Sequence, residues 1–263
     1  MFKEFYTGKT VLLAPHQDDE SIGAFCLMKR ISDNNGKIYV VFATNGAPEG
    51  IYPFRSGDII FDNQEQYAHT RKHESLRVLN KIGLEDEHIR FLGITDRTLY
   101  LNLEKTECMV KEIIEELEPD RILVCSNEKC HPDHDSLKAA AFIASRSNKK
   151  DLWEYATYNA SGKENNIYEK ERYNIFADGI YDFELMLTDE EITLKKEAFS
   201  LYESQITDIL SRFTFEKESF RRASTTFFQP KNIQPHYEKP DPDEVDAIIM
   251  NYINSRQNLH ISI

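Results

Sequence analysis

The chain of 263 residues is acidic, since 32 Lys and Arg stand against 45 Asp and Glu and leave a formal net charge of −13. This balance argues against non-specific nucleic-acid binding and against docking on anionic membranes, because both need clustered Lys and Arg. Hydrophobic residues make up 40% of the chain, which is enough apolar side chain for a sizeable core and argues against global disorder.

Short strand-like runs alternate with longer helical patterns from the N-terminus onward. The pattern predicts five strands, at residues 11–14, 37–43, 88–92, 121–125 and 152–158. It predicts helices at residues 21–32, 64–82, 108–117, 136–147, 188 to about 210, and near 243–253. Thr188 and Glu191 form a capping box at the start of the fifth helix. Residues 44–63 contain several Gly and Pro and predict a long loop, and a C-terminal extension follows about residue 220.

The order strand, helix, strand, helix is typical of an α/β fold with a Rossmann-like, mostly parallel sheet and helices on both faces. No Gly/Ser-rich or Pro-rich linker interrupts the middle of the chain, so we expect residues 1–263 to form a single domain. No G-x-G-x-x-G follows the first strand, which disfavours a nucleotide-binding Rossmann domain. Ligands of such sheets bind beyond the carboxyl ends of the strands, at the switch point of strand order. The residues that follow each strand are therefore the candidate site.

The class of protein and its compartment follow from what the chain lacks. The longest apolar stretches, such as 139–144, are far shorter than the roughly 18 residues of a membrane span, and the first ten residues contain no apolar segment. Four cysteines in a chain of this length do not indicate a disulfide framework. Cys125 and Cys130 could form a zinc pair, but no second pair follows, and core or loop thiols are the better interpretation. We expect a cytoplasmic protein without a membrane span; homo-oligomerisation is left open.

A dense cluster of polar residues follows the first predicted strand. In Pro15-His16-Gln17-Asp18-Asp19-Glu20, one histidine is followed by three acidic residues within four positions. Burying such charges costs several kcal/mol unless they are paired or bound to a cation. A solvated helix N-terminus, where Asp and Glu suit the macrodipole, explains this cluster equally well on its own.

A second cluster, Cys130-His131-Pro132-Asp133-His134-Asp135, follows the fourth predicted strand. The first and fourth strands can be neighbours at the switch point, so the segments after them would face one another. Together they predict a His/His/carboxylate metal site, in which three protein ligands leave a position open for water, as in catalytic zinc sites. The same ligands suit iron(II), so the metal is not decided.

These residues resemble the LmbE-like, or PIG-L, family of zinc-dependent N-deacetylases. The resemblance rests on Ala14-Pro15-His16-Gln17-Asp18-Asp19-Glu20 and on His131-Pro132-Asp133-His134. Weaker matches extend it over residues 10 to about 220, namely Thr44-Asn45-Gly46, Arg71-x-x-Glu74, Phe91-Leu92-Gly93 with Asp96, and Lys195-x-x-Ala198 leading to Tyr202-x-Ser204-Gln205. The chain has Gln17 where the family most often has Pro, and 47–63 shows no family pattern.

The resemblance implies a zinc-dependent hydrolase that removes an acetyl group from an N-acetylglucosamine-type sugar or its small-molecule conjugate. It implies zinc ligation by three residues, His16, Asp19 and His134. It implies catalytic roles for Asp18 as general base, His131 as acid or electrostatic partner, and Asp133 as the residue that holds an imidazole. Arg71 and Asp96 match positions near the sugar. Whether His131 protonates the amine or stabilises the oxyanion, and whether Asp133 orients His131 or a ligand histidine, is left open.

Two other functions remain as alternatives. The same site could hydrolyse another amide or an ester, or the chain could be a metal-binding module without catalysis. Asp18 and His131 argue against the module, because metal binding alone does not require them. His69 and His73 lie four residues apart on a predicted helix and could form a metal pair, but no third ligand is in reach, which favours ordinary surface or core histidines.

Overall fold

A seven-stranded sheet forms the centre of the protein in the computed structural model, which describes residues 3–56, 58–127, 131–158, 174–176, 178–205, 216–224 and 240–259. The strands are β1 (Lys9–Ala14), β2 (Lys37–Thr44), β3 (Phe54–Ser56), β4 (Ile59–Phe61), β5 (Ile89–Ile94), β6 (Arg121–Cys125), β7 (Asp151–Tyr155), β8 (Phe183–Met186) and β9 (Lys217–Arg222). The helices are α1 (Asp19–Asp33), α2 (Gln64–Asn80), α3 (Leu103–Leu117), α4 (Pro132–Ser147), α5 (Asp189–Phe199) and α6 (Pro242–Leu259).

The sheet confirms the predicted α/β architecture and its switch point. The strand order is β5-β2-β1-β6-β7-β9-β8, and the first five in that order pair in parallel. From β1 the chain winds outward through β2 to β5, and it then crosses to β6 on the other side of β1. The segments that follow β1 and β6 therefore lie side by side at the carboxyl edge of the sheet. Helices cover both faces, with α1 against α5 on one and α4 between α3 and α6 on the other.

Two strands of the seven-stranded sheet were not predicted, because their charged residues hide the apolar pattern. β8 and β9 add antiparallel pairings beside β7. Their sequences, FELM and KESFRR, contain acidic and basic residues that find partners only in the folded protein. Lys217 pairs with Glu184 across the two strands, and Lys195 of α5 pairs with the fully buried Glu218. Such compensation cannot be read from hydropathy along the chain.

Three helices begin earlier than predicted, and this places candidate site residues in helical first turns. α1 begins at Asp19 rather than residue 21, α3 at Leu103 rather than residue 108, and α4 at Pro132 rather than residue 136. Pro132 suits the first helical position, because its fixed φ is helical and its missing N–H would have no partner there. The His131 imidazole caps this helix by accepting the Asp133 N–H.

The segment predicted as a loop at 44–63 contains a hairpin, so that prediction was wrong in part. β3 and β4 pair antiparallel within it. Ala47, Phe61 and Tyr67 form a small buried apolar cluster of their own beneath the hairpin. Folding of this segment onto α2 brings its backbone next to the site.

The C-terminal half also differs from its predicted boundaries. The capping box of Thr188 and Glu191 is present with both hydrogen bonds. However, α5 ends at Phe199 instead of near residue 210, and a single 3-10 turn follows at Glu203–Gln205, while 206–215 lie outside the described residues. Val245 and Ile249 of α6 are buried in the main core, so this helix belongs to the body of the protein.

Two further predictions concern cysteines and membranes. Cys125 is a buried free thiol, and Cys130 lies outside the described residues, so the pair remains untested. Within the described part of the chain, no helix combines the length and apolarity that crossing a bilayer requires.

Candidate active site

The two predicted clusters meet at the carboxyl edge of the sheet. His16, Asp18 and Asp19 follow β1, and His131 and the first turn of α4 follow β6. Burial is nearly complete for the residues predicted to bind metal, with side chains 7% exposed for His16, 1% for Asp19 and 2% for His134. Polar groups withdrawn this far from water require partners or a bound ion.

Three donor atoms converge in the arrangement expected of a metal site. The Asp19 Oδ2 atom lies 3.0 Å from His16 Nδ1 and 3.2 Å from His134 Nε2. Donor atoms of all three residues lie within 4.8 Å of one another. Tetrahedral zinc with ligand bonds of about 2.0–2.1 Å separates neighbouring donors by about 3.3 Å. The described residues therefore fit a small divalent cation with little rearrangement.

The opposite edge of the His16 ring is held by two further acids. Its Nε2 atom lies 3.2 Å from Asp133 Oδ2 and 3.1 Å from Asp96 Oδ1. Asp133 is fixed in turn, because its carboxylate accepts the backbone N–H groups of Arg97 at 2.6 Å and Leu99 at 3.0 Å. A ligand histidine commonly donates its second N–H to a carboxylate, which sets its tautomer and orientation. This geometry favours Asp133 as the partner of His16 over an orienter of His131, whose Nδ1 is 3.9 Å away.

Electrostatics at the cluster favour positive charge among the carboxylates. Burial acts to lower the pKa of His16, but the carboxylate of Asp96, with those of Asp133 and Asp19, outweighs burial and raises this pKa well above its usual value. Burial would raise the pKa of Asp19, yet the imidazoles of His134 and His16 hold it well below its usual range. A divalent cation satisfies the same need for positive charge.

His16, Asp96, His131 and Asp133 form a second group whose donor atoms lie within 4.8 Å of one another. In this group Asp96 lies between the two imidazoles, 3.8 Å from His131 Nε2. The Asp96 carboxylate was predicted near the sugar, and the structure places it on the histidines with a side chain 9% exposed. Its reach to substrate remains a prediction.

Asp18 is the most exposed carboxylate of the first cluster, with 17% of its side chain accessible. The Arg71 Nη2 atom lies 3.1 Å from Asp18 Oδ2, and the guanidinium also donates to the backbone carbonyls of Gly46 at 2.8 Å and Gln17 at 3.0 Å. Burial raises the pKa of Asp18, and the Arg71 charge opposes this rise. Arg71, predicted as a sugar contact, is thus buried behind Asp18 and fixes the position of its carboxylate; contact with substrate stays a prediction.

The two ring nitrogens of His131 have different neighbours, since Nε2 faces Asp96 and Nδ1 faces the Asp133 amide. Its Nδ1 accepts the Asp133 N–H at 3.3 Å, so the neutral ring carries its proton on Nε2. Burial and the charge on His16 lower the pKa of His131 well below its usual value. With 20% of its side chain exposed, His131 can place an N–H donor against a bound molecule.

Tyr158 was not predicted as a site residue from the sequence, and Glu20 and Tyr202 were matched to the family without a role in the reaction. The Tyr158 hydroxyl lies 3.3 Å from His134 Nε2, beyond the end of β7. The Tyr202 hydroxyl donates to the fully buried Glu20, which also accepts the Asp18 N–H at 3.0 Å. Burial raises the pKa of Glu20 to about 7. The available signal for Tyr158 was its position at the end of the fifth predicted strand, because ligands of such sheets bind beyond the carboxyl ends of the strands.

Comparisons with known proteins agree with this geometry. The family model described as PIG-L, GlcNAc-PI de-N-acetylase, matches residues 11–145, just over half of the chain. No curated protein sequence matches.

Solved structures share the fold at low sequence identity. A deacetylase of the teicoplanin biosynthesis pathway has a TM-score of 0.62 and 13% identity, over 83% of this chain and 100% of that one. A structure described as the zinc-inhibited form of teicoplanin deacetylase gives 0.60 and 12%, over 83% and 100%. N,N'-diacetylchitobiose deacetylase from Pyrococcus horikoshii gives 0.60 and 18%, over 92% and 90%. At these identities the likeness shows a shared fold.

Proposed function

The chain belongs to the PIG-L family and is a hydrolytic N-deacetylase, and from this premise we propose that its substrate is an N-acetylglucosamine-type sugar conjugate. The enzyme removes the acetyl group with the help of a bound divalent metal ion, and zinc is the ion we propose first. The observation that carries the proposal is the buried convergence of His16, Asp19 and His134 beside the more exposed Asp18. Metal binding explains the first three residues, and a hydrolytic reaction explains the fourth.

His16, Asp19 and His134 would hold the metal, with Asp133 orienting the His16 ring. A divalent ion at such a site lowers the pKa of water and polarises a carbonyl oxygen. The ligand types also suit iron(II), so the experiment below measures the metal as well as the activity.

Asp18 acts as general base. It adjoins Asp19 in the chain, and its carboxylate is accessible from the open side while Arg71 fixes it from behind. It accepts the proton of the attacking water, and it can return this proton to the departing amine. General bases of this kind contribute about 10²–10⁴-fold to rate.

His131 and Tyr158 supply hydrogen-bond donors beside the proposed metal ligands. The Nε2–H group of His131 is directed by the contact of Nδ1 with the Asp133 amide. The Tyr158 hydroxyl lies beside the His134 nitrogen that faces Asp19. Either donor can stabilise the charge that develops on the acetyl oxygen in the transition state.

The substrate class is supported by the family description, and a cavity that reaches Gln17, between His16 and Asp18 in the chain, offers room for part of the substrate. The cavity of about 400 Å³ is lined on one side by Gln17 and Asn45 and on the other by α2 residues that include His69 and Lys72. We assign it to part of the sugar conjugate. Deacetylases of the same fold have names that specify the teicoplanin pathway or N,N'-diacetylchitobiose, and this supports an acetylated sugar compound as the substrate.

The proposal is tested by metal analysis of the purified protein together with acetate release from a panel of N-acetylglucosamine conjugates. We expect about one metal ion per chain and loss of activity on chelation, restored by adding the ion back. Asp18→Ala should retain the metal and lose about 10²–10⁴-fold in turnover, whereas His16→Ala should lose both. Near-normal turnover of Asp18→Ala would disprove the general-base role.

The same panel separates the proposal from its rivals. Release of acetate from simple amides or esters but not from sugars favours a zinc hydrolase of another substrate class. Full metal loading without any acetate release favours a binding module.

A further inference from the structure

The exposed face of α2 carries a histidine pair outside the catalytic cluster. His69 and His73 lie one turn apart, and their Nε2 atoms are 3.0 Å from each other. The ring centroids are 4.2 Å apart. Residues four apart on a helix are neighbours on one face, and two histidines in this relation are a recurrent zinc-ligating unit.

The spacing of the two nitrogens suits chelation. Four-coordinate metals with nitrogen bonds of about 2.0–2.1 Å hold two adjacent ligand nitrogens about 2.9–3.4 Å apart. The observed 3.0 Å lies inside that range, so the two nitrogens are already spaced for a shared ion, which would replace the hydrogen bond between them. Both side chains are exposed, so entry of the ion and of the water molecules that complete its coordination is unobstructed.

The charged residues near the pair are compatible with a bound cation, because a carboxylate is close and the basic side chains have other partners. Glu65 lies one turn before His69 and lines the same cavity, which adds a nearby carboxylate. Arg77, one turn after His73, lies 3.3 Å from Glu203. Lys72 places its ammonium group 4.9 Å from the Phe91 ring centre.

We propose that His69 and His73 form a second site for a divalent transition-metal ion of the zinc, copper or nickel class. The site is separate from the catalytic cluster, whose ligands follow β1 and β6. Its affinity for the ion is also lower than that of the catalytic cluster, because among the described residues no third His, Cys, Asp or Glu offers a donor atom within 4.8 Å of the pair. It fills only after the catalytic cluster.

The site lies at the rim of the cavity assigned to the substrate. His69 lines that cavity, whereas His73 does not. An ion on the pair, with its water molecules, narrows the entrance, so excess metal raises KM. This consequence rests on the proposed function, but binding of the ion does not.

The test is a calorimetric zinc titration of the metal-loaded protein that carries one equivalent, with His73→Gln as the variant. We expect one additional equivalent in the parent and at least about a tenfold loss of its affinity in His73→Gln, since even residues that only support a ligand cost 10–100-fold. His88→Gln is the matched control, because His88 lies outside α2 and packs beside Tyr39, and it should keep the second equivalent. No second equivalent in the parent, or an unchanged one in His73→Gln, overturns the site.

Kinetics then test the consequence separately. Excess zinc should raise KM in the parent and in His88→Gln, and leave KM of His73→Gln unchanged. A bound second ion without any change in KM would overturn the narrowing of the cavity while leaving the site intact.

Discussion

The ammonium group of Lys195 lies 2.7 Å from the carboxylate of Glu218, and the pair fills a break in α1. At Ala24 the backbone leaves helical geometry, with φ −147°. Glu218 accepts the N–H groups of the next turn, those of Cys26 and Leu27, at 2.9 Å each. Lys195 also donates to the carbonyl of Ile22, on the other side of the break, at 2.9 Å. The ion pair thus replaces missing backbone hydrogen bonds in the helix whose first turn carries the proposed metal ligand.

Lys195→Met should lower the free energy of unfolding by about 3–5 kcal/mol, because it leaves the buried Glu218 charge without its partner. Lys195→Met combined with Glu218→Gln should recover part of this loss. Urea unfolding measures both. Lys29→Met is the control, since the Lys29–Asp33 pair is exposed and such pairs contribute about 0–1 kcal/mol. Equal losses in Lys195→Met and Lys29→Met would show that the buried Lys195–Glu218 pair stabilises the protein no more than an exposed pair does.

Gly46→Ala should impair catalysis through neighbours that it displaces. Gly46 has φ +65°, and a Cβ atom there would lie 2.2 Å from Gln17 Oε1 and 2.9 Å from Arg71 Nη1. Gly83 has a similar φ of +78° with nothing within 4 Å of its Cβ position. Both alanine variants should lose about 1–2 kcal/mol of stability from left-handed strain.

Only Gly46→Ala should also lose turnover, by about 10–100-fold, because Arg71 moves and Asp18 moves with it. Unfolding and kcat are measured on both variants. A matching kcat for the two would mean that the Arg71 contact does not position the proposed base.

Tyr158→Phe should retain metal and fold and lower kcat by about 10²-fold or more, with KM nearly unchanged, if the hydroxyl stabilises the transition state. Tyr252→Phe is the matched control, because its hydroxyl donates to Glu107 and joins α6 to α3 without contacting a site residue in that bond. This control should lose stability without losing turnover. Retention of kcat in Tyr158→Phe would remove the residue from the reaction.

Stability should fall in acid partly through Glu154. Burial would raise the pKa of Glu154, but the charges of Lys138 and Arg221 outweigh it and lower this pKa below its usual value. A group with a depressed folded pKa stabilises the protein above its unfolded pKa of about 4.3, and this stabilisation is lost as the pH falls through the folded value. The difference in free energy of unfolding between the parent and Glu154→Gln should therefore be largest at pH 7 and should shrink below about pH 4. Urea midpoints across this range measure it, and a gap that widens in acid would contradict the assignment.

Much of the site was predictable because its chemistry is local in the chain. His16, Asp18 and Asp19 lie within four positions, as do His131, Asp133 and His134, and both groups follow buried strands. Hydrophobic periodicity was enough to predict β1 and β6 and to suggest that they are neighbours. The capping box at Thr188 needs only residues three apart, and it formed as predicted.

Other features depend on partners far away in the chain. Glu74 accepts two hydrogen bonds from Ser204, 130 residues later, and Glu20 accepts one from Tyr202, 182 residues later. These bonds anchor the chain at the 3-10 turn that follows α5. The helical pattern of the sequence alone had extended α5 past this turn, to about residue 210. The early start of α4 at Pro132 has a local cause instead, because the preceding residue, His131, caps the helix.

The sequence by itself indicated the reaction class, because two short clusters of histidines and aspartates after buried strands predicted a metal site and their resemblance to the PIG-L family implied the hydrolysis and the candidate base. Only the tertiary structure decided which of these groups contact one another. It placed Asp133 and Asp96 on the far nitrogen of His16, put Arg71 behind Asp18, and added Tyr158 to the site. The physical reason is that residue types follow from the chain, whereas hydrogen-bond direction and burial depend on which strand ends the sheet brings together.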